Sequence, residues 1–182
     1  MITFSRGMPR LSALGLALGM LIAAGSTGAE AGSLSQKDVQ IMAKAIGFLE
    51  PPPSGPAIVA IAYDPADPAS KQDAEELAGY FGDGLKAGAA TLKPKVTEVG
   101  KLSAGGFIAV VTASGVKSDQ VFSVTRSQHV ACVTPDASAV QSGQCLMSIK
   151  SSPKVEILIS RSAMSGSSVE FGSAFLLMAH EL

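Results

Sequence analysis

The sequence predicts a three-layer α/β domain: a mostly parallel sheet of about five or six strands flanked by helices, with an antiparallel hairpin at its edge. Three observations carry this. Residues 57–63 (AIVAIAY) form an unbroken apolar run, too short for a typical helix, which reads as a strand buried on both faces. Strand-like and helix-like patterns then alternate as far as residue 134, and strand–helix–strand order implies parallel pairing. The chain has 182 residues, 47% of them apolar, enough to bury a core without a staple.

The elements follow in order. Ser35, with Asp38 three positions on, marks a helix start, and Val39, Met42, Ala43, Ile46 and Leu49 continue at helical spacing until Pro51-Pro52-Pro53 ends the helix. After the strand at 57–63, Asp64-Pro65-Ala66-Asp67-Pro68 forms a turn. Ser70 and Asp73 are expected to cap a second helix with Ala74, Leu77, Ala78, Phe81 and Leu85 inward, and Lys71, Asp73, Glu75 and Glu76 outward. Gly79, Gly82, Gly84 and Gly88 fall within this helix, as close-packing positions or as a ligand-facing helix end. Strands at 95–99 and 107–112, a helix at 118–127 and a strand at 129–134 continue the alternation. The hairpin is expected at 146–149 and 154–159, around Ser151-Ser152-Pro153. A last helix is expected at 172–182.

Residues 1–31 read as a signal peptide, and 32–182 as a single domain. Arg6 and Arg10 precede the apolar run 11–24, which contains Gly15 and Gly19 and falls short of the ~20 residues of a spanning helix; small residues then lead to Ala29 and Ala31. Cleavage after Ala31 and a periplasmic location are expected; an uncleaved anchor is the alternative. Export would let Cys132 and Cys145, thirteen positions apart across turn-forming residues, pair as a disulfide. Two buried free thiols are the alternative. A zinc site is not expected, because His129 is the one imidazole nearby and C-x-x-C spacing is absent.

A net charge of -1 supplies no field for phosphate backbones, so nucleic acid is excluded as a partner. No nucleophile elbow, zincin helix, P-loop or dinucleotide fingerprint occurs, and neither catalytic residues nor a cofactor are expected. His180 is placed in the last helical turn, where the dipole favours a cation, and His129 at a solvated loop-to-strand junction. Asp64 and Asp67 follow the first strand at its carboxyl end, where open α/β sheets bind ligands, and with Thr112 and Gly115 they are the candidate ligand contacts. Turn chemistry accounts for them equally well.

Two resemblances add to this. Cys132-Val-Thr-Pro-Asp136, Ser142-Gly143-Gln-Cys145, Val155-Glu-Ile-Leu-Ile-Ser160 and the closing SSVEFGSAFLLMAHEL, with Lys44-Ala45-Ile46-Gly47-Phe48-Leu49 in the first helix, resemble the YfiR family of periplasmic proteins. That resemblance implies an α/β regulator, not an enzyme, that binds the periplasmic sensor part of an inner-membrane diguanylate cyclase and represses cyclic-di-GMP synthesis. Apart from the resemblance, a homodimer is a further expected association. The chain departs from the family in having Glu50-Pro51 for Trp-Pro, Ser160 for Asn, and cysteines for one disulfide where some members have two. Residues 58–88 also resemble the opening strand and helix of the solute-binding proteins of ABC transporters, which implies a small-ligand binding protein.

Overall fold

A computed structural model describes residues 32–182; the expected signal peptide lies outside the described residues. Its centre is an eight-stranded sheet, ordered β10-β8-β7-β6-β5-β2-β4-β3. The strands are β2 (Ser54–Tyr63), β3 (Leu85–Ala87), β4 (Ala89–Glu98), β5 (Ala109–Thr112), β6 (Ala131–Thr134), β7 (Met147–Lys150), β8 (Glu156–Ile159) and β10 (His180–Glu181). A separate antiparallel pair joins β1 (Leu49–Glu50) to β9 (Glu170–Phe171). Pairing is parallel except for β3 with β4 and β7 with β8. The fold is thus the mostly parallel, helix-flanked α/β architecture expected.

Helices α1 (Gln36–Ile46), α2 (Pro68–Gly79), α3 (Ser118–Gln128), α4 (Ala137–Gln141), α5 (Arg161–Ser167) and α6 (Ser173–Leu176) pack around the sheet. α1 touches β3 and β7, α2 covers β2 and β4, and α3 lies against β5, β6, α5 and a 3-10 segment, Val99–Ala104. The core runs through every central strand: all four residues of β5 and of β6 are buried, as expected for a parallel sheet covered on both faces. Among the described residues no helix is long and apolar enough to cross a membrane.

The sheet has eight strands where about five or six were expected, because the short β3 and β10 extend its two edges, and several of the expected elements differ in detail. α1 carries the predicted capping box of Ser35 and Asp38 but ends at Ile46, before Leu49, with Gly47 as its C-cap; the chain turns there with Gly47 packed so close to the Gly88 backbone that a Cβ would stand 2.8 Å from the Gly88 nitrogen. α2 is capped by Asp67, with Pro68 in its first turn, not by Ser70. It ends at Gly79; Gly82 (φ 52°), Gly84 (φ 131°) and Gly88 (φ 58°) lie outside it in left-handed turns around β3. β4 runs over ten residues, through Pro94, where only its last part was expected. The C-terminus forms the short α6 and then β10, not one helix. β10 pairs with β8, so the β7–β8 hairpin is not the sheet edge. Covering the edge of β8 satisfies backbone groups that a helix would have left open.

Candidate functional site

The sheet reverses direction of growth between β2 and β5. From β2 the chain goes to β4 on one side and then crosses back to β5 on the other, so the crevice beyond the carboxyl ends of β2 and β5 is the topological switch point. Asp64 and Asp67 stand there, half-buried, in one turn closed by the Asp67 amide donating to the Asp64 carbonyl at 3.1 Å. Oδ1 of Asp64 accepts from the Ala66 amide at 2.9 Å, and Oδ1 of Asp67 accepts from the Ala69 amide at 2.9 Å. Their Oδ2 oxygens accept no hydrogen bond among the described residues. Gly115 (φ 76°) meets Asp67 across the crevice: a Cβ there would lie 2.7 Å from Asp67 Oδ2.

Beneath these carboxylates is a polar tier that sequence reasoning missed. Asp73, expected on the solvent face of α2, is buried and accepts from the Ser33 hydroxyl and, at 2.6 Å, from the Ser114 amide. Ser70, expected as a cap, is fully buried and accepts from the Asp64 amide at 3.0 Å. The Thr112 hydroxyl donates to that of Thr134 at 2.9 Å, and Thr134 Oγ1 accepts from the Asp136 amide at 3.2 Å. At the α1 end, Asp38 Oδ2 accepts from the amide (2.8 Å) and hydroxyl (2.6 Å) of Ser35. Burial pushes the Asp38 carboxyl up, but hydrogen bonds from Ser35 and Ser151 outweigh it and hold the group below its ordinary range.

The amino end of the sheet is built differently. A groove of about 440 Å³ runs between β1, the entry to β5, the junction of α3 with β6, and the end of α5. Glu50, Gln128, His129 and Ser168 are its polar walls. His129 (φ 56°) caps the end of α3, not the start of β6 as expected, and Ser168 (φ 53°) caps the end of α5. They are the two non-glycine residues with positive φ among the described residues, a conformation that costs roughly 1–2 kcal/mol in L-residues. His129 Nδ1 lies 3.0 Å from the Ser167 carbonyl and ties the two helix ends together. His180, expected to end a helix, lies in β10 instead and has no dipole role there. Neither Asp64 nor Asp67 lines this groove.

Cys132 and Cys145 stand at disulfide distance, with Cα atoms 5.2 Å apart, both buried. They close the loop that carries α4. Among the described residues no group of three metal-ligating side chains is assembled.

No family model matches the chain, and no curated protein does. A solved structure described as an ABC domain in complex with L-Trp, from Streptococcus pneumonia, is similar in fold, with a TM-score of 0.52 at 11% identity. The alignment covers 80% of this chain and 59% of that one, so the chain spans less than two thirds of its neighbour's length. The likeness extends to the α/β architecture.

Proposed function

We propose that the chain is a non-catalytic domain that binds a small, amine-bearing solute at the carboxyl edge of its sheet. The observation that carries this reading is the pair Asp64 and Asp67 at the switch point, each using one oxygen for its own turn and keeping the other free among the described residues. Two carboxylate oxygens beside a crevice suit an ammonium group, which offers three donors. The fold is shared with a domain that holds L-Trp, which supports the reading without extending that ligand to this chain. Export with cleavage after Ala31 belongs to the same proposal, and buried cysteines at disulfide distance favour it.

Calorimetry with a panel of amino acids, sugars and nucleotides tests the reading. Asp64→Asn and Asp67→Asn keep the Oδ1 acceptors that shape the turn and remove the charge. The expected result is heat with an amine-bearing ligand and about a tenfold loss of affinity in either variant. No heat with any ligand would reject it.

A second reading, binding to the periplasmic part of an inner-membrane signalling protein such as a diguanylate cyclase, is favoured by a different observation. Leu177 and Met178 are 89% and 66% exposed, beside β10 at the sheet edge. An apolar pair next to an open strand edge suits strand addition by a partner or by a second copy in a homodimer. Co-purification from membranes, with wild type against Leu177→Asp/Met178→Asp, tests it: the variant should lose the partner, and absence of any partner for the wild type would refute it.

A further inference from the structure

The groove at the amino end lies away from the carboxylates of that reading and does not depend on it. We propose that it is a binding site for a small organic cation with an apolar body, that is, a primary amine on an aryl or alkyl skeleton.

Its volume of about 440 Å³ lies within the range of small-molecule sites. The walls include Leu49, Pro51, Phe107, Ile108, Val130 and Val169, which fit an apolar body. The sign of the charge it takes follows from three placements. α3 and α5 both end at the groove, at His129 and Ser168, so it receives the negative ends of two helices. Glu50 lines it, and Glu170 stands directly opposite Glu50 in the β1–β9 register; neither forms a salt bridge among the described residues. Like charges facing each other across a strand pair repel, and a bound cation removes that repulsion. No Lys or Arg lines the groove; the Lys95 ammonium sits over the Phe107 ring, 5.6 Å from its centroid, and is not a lining group.

Of the remaining polar groups, Gln128 already donates its amide to the Leu102 carbonyl at 3.2 Å, and its oxygen and the Ser168 hydroxyl can each accept from a ligand. His129 Nδ1 is engaged with the Ser167 carbonyl at 3.0 Å, which leaves Nε2 as the ring nitrogen without a protein partner. The left-handed backbones of His129 and Ser168 both fall on this groove; strained backbone held by its surroundings clusters at ligand sites.

The test uses the full chain with three probes of one shape, phenethylamine, 2-phenylethanol and phenylacetate, by calorimetry and thermal shift. Phenethylamine should bind and raise Tm, the alcohol should bind about tenfold more weakly, and phenylacetate should not bind. Glu50→Gln should weaken the amine about tenfold and lower its preference over the alcohol, while Glu156→Gln, which removes an exposed carboxylate outside the groove, binds it as wild type does. Equal binding of the three probes, binding of none, or an unchanged affinity in Glu50→Gln would overturn the proposal. Amine binding that Asp67→Asn abolishes and Glu50→Gln spares would assign the amine to the carboxyl edge, and would overturn it too.

Discussion

At the carboxyl end of the sheet the polar groups are bonded to one another; at the amino end Glu50 and the Ser168 hydroxyl face a groove without side-chain partners, while His129 and Gln128 are tied to backbone carbonyls. Asp73 holds Ser33 and Ser114, Thr112 holds Thr134, and Asp38 holds Ser35. The Asp73, Thr112, Thr134 and Asp38 side chains are buried and each makes a hydrogen bond, which is what a polar group needs to be tolerated in a core, although Asp38 Oδ1 is left without a partner. Glu50, His129 and Ser168 are exposed, and they combine facing like charges with left-handed backbone. The position rule for open α/β sheets favours the first end as a ligand site. The comparison teaches that position and availability are separate questions: at the carboxyl end most polar capacity maintains the fold, and the oxygens left over are the outer ones of Asp64 and Asp67 and the buried Oδ1 of Asp38.

If the carboxyl end is structural, breaking it should cost stability while breaking the amino end should not. Apart from either polar cluster, the largest effect is expected from Cys132→Ala/Cys145→Ala, which opens the loop holding α4 and should lower unfolding free energy by about 3 kcal/mol in urea melts. Hydrogen exchange should then quicken in α4 and stay unchanged at 168–171. Next is Asp73→Ala, which leaves the Ser114 amide and the Ser33 hydroxyl without their acceptor and should cost about 2 kcal/mol. Glu50→Ala, measured in the same way, should change stability little, because Glu50 is exposed and faces Glu170. Equal losses in Asp73→Ala and Glu50→Ala would erase the distinction between the two ends.

What the sequence made legible was local. The α1 capping box, the apolar run that became β2 and the parallel alternation depend on residues a few positions apart, and they stand in the structure. The cysteine pairing was legible because the two residues flank one short turn region. β4 was largely hidden because Lys93-Pro94-Lys95 reads as a break, and its long pairing with β2, joined by β3 over its first half, keeps it extended. β10 was hidden because 173–182 has helical spacing, which pairing with β8 overrides. Asp73 looked like a solvent-face residue because its partners, Ser33 and Ser114, lie about 40 positions away. The groove draws on four separated segments, so no local pattern announces it; the one signal was a helix ending at Gln128-His129 without the glycine that usually accepts a left-handed cap.

Smaller effects sharpen the comparison. The Asp38 carboxyl is held below its ordinary value of 3.8 in the folded chain. A depressed carboxylate contributes stability that is present above the unfolded value and is lost as pH falls through the folded one. The urea midpoint should therefore start to drop below about pH 5 and keep falling as pH passes 3.8 and the lower folded value, and Asp38→Asn should flatten part of that drop while costing about 1 kcal/mol at neutral pH. An unaltered pH profile in the variant would mean that the carboxyl end does not owe its acid sensitivity to this group.

The smallest expected effect bears most directly on the amino end. Ser168 adopts φ 53° with its backbone amide bonded into the end of α5, and its hydroxyl makes no hydrogen bond among the described residues. Glycine adopts the same conformation without steric cost, at some expense in unfolded-state entropy, so Ser168→Gly should raise stability by about 0.5 kcal/mol. His129→Gly should not show this gain, because it also removes the Nδ1 link to Ser167. A gain in the first variant, measured as a higher urea midpoint, means that the fold does not require serine there and that the strain is borne for the groove it lines. A loss means that the serine serves α5 itself, and the two ends of the sheet are then less different than their geometry suggests.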